Sequence, residues 1–310
     1  MLKKPIGILD EHPEWSRRLI ETLDSRRLPY EKIDHSNHVF DPRDREPHYS
    51  VIVNRTSPSS HTRGHGSVLF YAESLLSHYE SLGVPVINPV RAYRFEKSKA
   101  LQLELFERLG VRYPRAVVVN HSDQILKAVD RIGFPLVVKP NVGGSGAGIV
   151  RFYSLEELRA ALDGIALGPD ATALVQQYVE PQGCAIVRVE VLDGRELYAI
   201  RIVREALQNF NLCPADICQV PGAGACPADA KPGMTVSRFD APADASATAV
   251  RLTVEAGIDV GGVEYMVSAR DGLTYFYDVN ATSNFVADAP VVLGFDPFTT
   301  FVDAIVRRAA

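Results

Sequence analysis

Long apolar runs are missing from this sequence. No stretch approaches the roughly twenty consecutive apolar residues that a helix needs to cross a bilayer, so no membrane partner is expected. The first residues, Met1-Leu2-Lys3-Lys4-Pro5-Ile6-Gly7, lack an apolar leader and run straight into a strand-like segment. That start reads as cytoplasmic. Cysteine is scarce: the four present, Cys184, Cys213, Cys218 and Cys226, form no Cys-x-x-Cys pair. Such spacing argues against a zinc site or a disulfide framework and leaves buried or incidental thiols. Basic blocks are lacking too, and the net charge is −5. A nucleic-acid or other polyanionic partner is therefore excluded. What remains is an ordinary soluble composition, 46% hydrophobic and 23% charged, over 310 residues. A chain of that length holds roughly two or three domains.

Taken in order, Pro5 to Asp10, Tyr30 to Asp34, Tyr49 to Asn54 and Val84 to Pro89 read as strands. Helical periodicity separates them over Glu14 to Ser25 and Ser67 to Leu82. Alternation of this kind predicts a small parallel α/β sheet over residues 1–90, with ligands beyond the strands' carboxyl ends. There the segment Arg55 to Gly66 is either a substrate loop or a solvated connection. A single helix is expected from about Ala92 to Leu109, ended by Gly110, with Lys97 and Lys99 near its start. The macrodipole disfavours cations there, and a ligand anion would offset that cost.

The stretch around which the chain is organised is Phe134 to Val150, an apolar run ending in Lys139-Pro140, then Asn141-Val142-Gly143-Gly144-Ser145-Gly146-Ala147-Gly148, then a second apolar run. It reads as strand, glycine loop, strand. A loop whose backbone N–H groups converge on phosphate oxygens needs close approach and positive φ, which a Cβ obstructs. Lys139 brings a point charge to the same anion. A Walker A loop is excluded because no Gly-Lys-Ser/Thr closes the loop before a helix, and a dinucleotide fingerprint because spacing and helix are both wrong. The plain alternative is a flexible hairpin tip without a ligand.

Further on, strands Ala185 to Leu192 and Leu197 to Val203 flank an Asp193-Gly194 turn. In the first, Arg188 and Glu190 alternate with valines, which on its own reads as a solvated face. Residues 209–236 are rich in Pro, Gly, Ala and Cys and read as a long functional loop. Gly261 to Val267 and Leu273 to Asn280 form a hairpin in which Glu264 and Asp278 come side by side. Asp278 and Asn280 share a face by the period of two. Two carboxylates and an amide oxygen suit Mg²⁺ bridging nucleotide phosphates, against the plainer reading of polar residues on an exposed hairpin.

A lysine helix, a lysine strand, a glycine hairpin, a hinge strand and Glu…Asp-x-Asn in this order resemble the ATP-grasp superfamily. The likeness is to the carboxylate–amine ligases typified by the glutamate ligases that modify a ribosomal protein tail, and it runs from about Asn54 to Phe285. It implies an α/β (α+β ATP-grasp) architecture: an N-terminal domain over 1–90, a subdomain with the glycine hairpin over 91–180, and a metal-bearing subdomain over 181–310, the last two clamping the nucleotide. Lys99 and Lys139 match the two ATP-phosphate lysines, and Gly143, Gly144, Ser145, Gly146 and Gly148 the closing glycine loop. Gln177, Tyr178 and Val179 match the hinge that offers backbone groups to adenine. Glu180 is the candidate for the ribose, because Ala185 stands where these ligases often have an aspartate. Glu264, Asp278 and Asn280 match the magnesium ligands, and Asn211 an asparagine near the phosphates. Arg188 and Arg201 match arginines on the γ-phosphate and the acyl intermediate.

The resemblance further implies an ADP-forming ligase using ATP with Mg²⁺ or Mn²⁺, which activates a carboxylate as an acylphosphate and passes it to an amine. Its expected substrates are an amino acid or peptide, or a protein tail, and homo-oligomers occur among such enzymes. Two alternatives stay open: a nucleotide-binding regulatory module on the same fold, and a ligase with a thiol or hydroxyl acceptor.

Overall fold

The computed structural model describes residues 2–12, 14–144, 146–204, 210, 213–214 and 234–310. Its N-terminal sheet consists of β1 (Ile6–Leu9), β2 (Tyr30–Ile33), β3 (Val51–Asn54) and β4 (Val86–Ile87), all parallel in the order β2-β1-β3-β4. The crossovers include α1 (Arg17–Ser25) after β1 and α2 (Val68–Ser81) after β3. Every residue of β1 and β3 is buried, as a two-sided parallel sheet demands. Beyond their carboxyl ends Glu11 pairs with Arg63 and His65, and Arg55 reaches Ser283 and Asn284.

The expected helix from Ala92 to Leu109 is two helices, α3 (Val90–Lys97) and α4 (Lys99–Arg108). Ser98 between them is extended, at φ −134° and ψ 105°, and its Oγ accepts the N–H of Leu101. A serine that caps a new helix competes better here than one that continues the old. Lys97 therefore closes α3 and bonds Glu73 at 2.5 Å, whereas Lys99 opens α4.

The second sheet is antiparallel, in the order β5-β8-β6-β7: β5 (Ala116–Val119), β6 (Leu136–Pro140), β7 (Val150–Phe152) and β8 (Ala173–Gln177). Helices α5 (Ser122–Ile132) and α6 (Leu155–Ala161) cover it. The β6–β7 pair is the glycine-looped hairpin read from the sequence.

The third sheet runs β11-β10-β9-β12-β13, built from β9 (Ala185–Leu192), β10 (Arg195–Arg204), β11 (Met234–Phe239), β12 (Val260–Val267) and β13 (Thr274–Asn280). Met234 to Val236 pair with β10, so the end of the segment read as a loop is strand. The rest of 209–236, apart from Phe210, Cys213 and Pro214, lies outside the described residues. One face of the sheet, with Val187, Val189, Val191, Val263 and Phe276, packs on α7 (Ala243–Ala256) and on α3 and α4. Ala92, Leu105 and Phe106 thus join the core of the third sheet, whereas Val90 and Tyr93 pack in that of the first. On the other face Ile186, Leu192, Ile200 and Ile202 pack with α8 (Ala289–Leu293), α9 (Pro297–Ala309) and residues of β1, α1 and β3. The C-terminal helix, capped by Asp296 on Phe298 N–H, is shared between the first and third sheets.

Candidate active site

On that second face the apolar side chains stop in the middle of the sheet and charge replaces them. Registers place Arg188 beside Glu264 and Glu264 beside Asp278, with Gly262 beside Glu190 and Asn280. A bulge between Glu264 and Tyr265 lets Tyr277 and Asp278 both face Glu264. The alternation of β9 read as a solvated face is instead sealed: Arg188 is 7% exposed and Glu190 0%. Burying charges demands partners. Arg188 donates through Nε to Glu190 Oε1 at 2.6 Å and through Nη1 to Glu264 Oε1 at 2.9 Å.

Two adjacent glycines make this possible. A Cβ on Gly261 would overlap the carbonyl oxygen of Asn280, and one on Gly262 would lie 2.5 Å from Arg188 Nε and closer still to Cζ. The guanidinium lies flat over Gly262. Burial opposes its charge, but the two carboxylates outweigh that and hold its pKa well above the ordinary value. Burial pushes the Glu264 carboxyl up; Arg188 pulls it down and Asp278 opposite raises it further.

A single cavity joins these residues to the glycine loop. Its wall includes Lys99, Lys139, Gly143, Gly144, Gly146, Arg188, Glu264, Asp278 and Asn280, together with Trp15, Ser57, Pro58, Ser283 and Asn284. Lys99 Nζ donates to Gly143 O at 3.0 Å. Burial pushes the Lys139 ammonium down to about 8, with Asp278 resisting. Gly146 and Gly148 both have φ of 73°, and a Cβ on Gly148 would press on the Pro140 ring at 2.9 Å. Only glycine adopts that turn cheaply. Gly148 itself is set behind the wall, and Ser145 and Asn211 lie outside the described residues.

Two expectations end up elsewhere. Arg201 pairs with Val187 across the β9–β10 ladder, so it projects from the opposite face and is exposed near Gly183. Strand parity puts it beyond reach of Arg188's partners. Arg204, three residues on, has the parity of Arg188 and is buried. Gln177 ends β8, Tyr178, Val179 and Glu180 follow it, and none of the four is in the cavity wall. There Gln177 N–H bonds Arg115 O at 2.7 Å, Tyr178 N–H bonds Pro135 O at 3.0 Å, and Glu180 O accepts Ala269 N–H at 2.8 Å. The Tyr178 ring stacks on Arg151, which also lies over Tyr153.

Several participants carry no local sequence signal. Asn141 accepts Ala100 N–H at 2.8 Å and Ser98 Oγ–H at 3.2 Å, tying the start of α4 to the glycine loop. Glu96 is buried in the cavity wall and accepts Ala281 N–H, and burial raises its carboxyl to about 7. Arg55, fully buried, donates to Ser283 O at 2.7 Å and to Asn284 Oδ1. Residues 55–60, half of the segment read as loop or connection, are buried, and a short 3₁₀ helix over Pro58–Arg63 is capped by Ser57. Cys184 is a thiol, not a half-cystine.

Among the described residues no group of three His, Cys, Asp or Glu side chains is arranged to hold a metal. Glu264, Asp278 and Asn280 provide two carboxylates and an amide, with Asn280 Nδ2 bonding Asp278 Oδ2 at 3.3 Å. That donor set fits Mg²⁺, which takes one or two carboxylates and completes its shell with water and phosphate.

Three antiparallel and parallel sheets enclosing a cavity of two lysines, a glycine hairpin and paired acids constitute the ATP-grasp fold. The solved structures agree: D-alanine–D-alanine ligase from Bacillus anthracis superposes with a TM-score of 0.69 at 17% identity, over 99% of this chain and 97% of that one. The ATP-grasp ligase PsnB, complexed with a minimal precursor, gives 0.66 at 16% over the whole of both chains. Within the class, the chain is similar to alpha-L-glutamate ligases. The probable alpha-L-glutamate ligase 2 of Shewanella amazonensis is 27% identical over 215 residues, 63% of this chain and 66% of that protein. The probable alpha-L-glutamate ligase of Aliivibrio salmonicida is 24% identical over 321 residues, 98% of this chain and 96% of that one. For the first of these relatives the match spans half to two thirds of their own length. The family model of the D-Ala D-Ala ligase C-terminus matches residues 104–210.

Proposed function

We propose that this protein is an ATP-dependent, ADP-forming carboxylate–amine ligase that makes an amide bond through an acylphosphate. The observation that carries the reading is the meeting, in one cavity, of Lys99, Lys139 and the glycine loop with Glu264, Asp278 and Asn280. Phosphoryl transfer needs positioning and charge neutralisation more than covalent help from the protein. Lys99 and Lys139 bind phosphate oxygens, and Arg188, anchored by Glu190, orients a donor toward charge that develops on the transferred group. Glu264, Asp278 and Asn280 would hold Mg²⁺, or Mn²⁺, which would supply positive charge to offset that of the phosphates. The loop from Gly143 to Gly148 closes over the phosphates and keeps water from the acylphosphate. Adenine recognition by Gln177, Tyr178 and Val179, and ribose recognition by Glu180, rest on the family likeness. The carboxylate and amine are small, an amino acid or peptide, as suits the glutamate-ligase relatives and the peptide precursor bound by PsnB.

The test is ADP release with Mg²⁺ across amino acids and small peptides, singly and in pairs, with hydroxylamine present to trap the acylphosphate. Hydroxamate formed from one carboxylate alone supports the reading and names the donor. Turnover undiminished in both Lys139→Ala and Asp278→Ala refutes it. Nucleotide binding without ADP or hydroxamate points instead to a regulatory module.

A further inference from the structure

Strand β13 carries Asp278 and Asn280, and among the described residues it is the edge of its sheet. The backbone of an edge strand points unpaired N–H and C=O groups away from the sheet. Val279, between Asp278 and Asn280, is fully buried, so water cannot satisfy them. Both groups are met by one side chain. Gln102 Oε1 accepts Val279 N–H at 3.1 Å, and Gln102 Nε2 donates to Val279 O at 2.9 Å. The same Nε2 donates its second hydrogen to Phe95 O at 2.9 Å, across the break between α3 and α4. Gln102 is itself buried.

An amide in this position does more than cover an edge. A neighbouring strand offers donors and acceptors along its whole length and can pair in more than one register. One carboxamide has a single oxygen and a single NH₂, which together fit the N–H and C=O of one residue. Gln102 therefore pins β13 at Val279, with a candidate metal ligand on either side. Just beyond, Ala281 gives its N–H to Glu96, and its C=O accepts from Asn88 Nδ2. Gln102 lies about one turn after Lys99 on α4. The pin thus joins the helix that presents a phosphate-binding lysine to the strand that presents the acid and the amide.

Mg²⁺ demands near-ideal octahedral geometry, so a small slide of β13 against α4 costs affinity. Groups that hold metal ligands in place without touching the metal typically govern about 10–100-fold in affinity. We propose that Gln102 is a positioning residue for the metal centre: its carboxamide fixes Asp278 and Asn280 along β13 relative to Lys99, so that one chain of phosphates meets both. The role rests on the reading of Asp278 and Asn280 as Mg²⁺ ligands; the bonds of Gln102 do not.

The experiment is isothermal titration of ADP into the full chain, once in EDTA and once with Mg²⁺, which gives for each variant the ratio of the two affinities. Gln102→Met keeps the length of the side chain and removes its amide; Gln102→Asn keeps the amide and draws it back by one methylene. The ratio should fall at least about fivefold in Gln102→Met and by a smaller factor in Gln102→Asn, while affinity in EDTA stays within about twofold of wild type. Leu105→Ala, in the same helix and buried core, is the control for lost stability. Its melting temperature should drop and its ratio should stay within about twofold of wild type. An unchanged ratio in either Gln102 variant, at a temperature where it is folded, or an equal fall in Leu105→Ala, overturns the proposal. A wild type whose ADP affinity does not respond to Mg²⁺ overturns it together with the metal assignment. Failure of the ligase reading alone is a different result, an intact Mg²⁺ response with no hydroxamate.

Discussion

Replacing Gly262 by alanine adds one methyl group to β12, and the structure says where it goes. The new Cβ lies 2.5 Å from Arg188 Nε and overlaps Cζ and Nη2. Gly262 is not left-handed, so alanine suits its backbone and the whole effect falls on the guanidinium. Arg188 cannot sidestep: it is buried, and it is bonded on one side to Glu190 and on the other to Glu264. Overpacking alone costs about 1–3 kcal/mol, and separating a buried arginine from its carboxylates about 3–5 kcal/mol. Partial relaxation of both leads to an expected loss of about 3 kcal/mol. By the usual entropy of unfolding for a chain of this size that lowers the melting temperature by about 5 °C. Gly164→Ala is the control, since no atom lies within 4 Å of its Cβ and its φ is ordinary, so it should stay within about 0.5 kcal/mol of wild type. Calorimetry reads the first effect. A double-mutant cycle with Arg188→Leu isolates its cause, because without the guanidinium the alanine has room, and a coupling of at least about 1 kcal/mol is expected. A Gly262→Ala protein that melts with the wild type, or a cycle with no coupling, refutes the argument that the glycine exists to seat the arginine.

Other expectations follow from the same geometry. Arg188→Ala should weaken AMPPNP binding at least about tenfold, while Arg201→Ala, changing an exposed side chain on the opposite face, should leave it within about twofold; isothermal titration separates them, and equal losses would contradict the strand parity. Lys139 drops from an ordinary 10.5 to about 8, so over that window the unfolded chain holds a proton that the native one has lost and stability rises with pH. Nucleotide affinity runs the other way: it should decline above pH 8 in the wild type and not in Lys139→Arg, as measured by ADP titration from pH 7 to 9.5. Buried His35, bonded to Thr56 Oγ1, is held down to about 4 by desolvation. The unfolded histidine takes a proton below about 6.5 and the native one does not, so stability is lost as pH falls from 6.5 to 4, by up to about 3 kcal/mol. Urea midpoints at pH 7 and pH 4.5 should converge in His35→Asn, and an unchanged gap would place the acid sensitivity elsewhere.

Much of this protein is written in contiguous residues. Lys139-Pro140, the glycines after it and Ile149-Val150 specify a hairpin because the φ angles at Gly146 and Gly148 are adopted without strain only by glycine. The turn of the β12–β13 hairpin sets the register to within one residue of Glu264 facing Asp278, and the bulge that leaves Tyr277 unpaired makes that pair direct. These are local rules, and the ordered set of motifs was legible from them together with the family likeness. Other features depend on which surfaces meet, and no local rule contains that. Ser98 could continue a helix or cap a new one, and Asn141, forty residues away, holds its hydroxyl in the second role. Valines alternating with Arg188 and Glu190 describe a solvated face as well as a sealed one. The cavity wall, with Trp15, Glu190 and Ser283, draws on the segment after β1, the strand β9 and the segment after β13. Period and propensity act over a few residues, whereas burial of a charge is decided by the distant groups that enclose it. The tertiary structure alone therefore determined that Arg188 and Glu190 face the ligand cavity and that Arg201 does not.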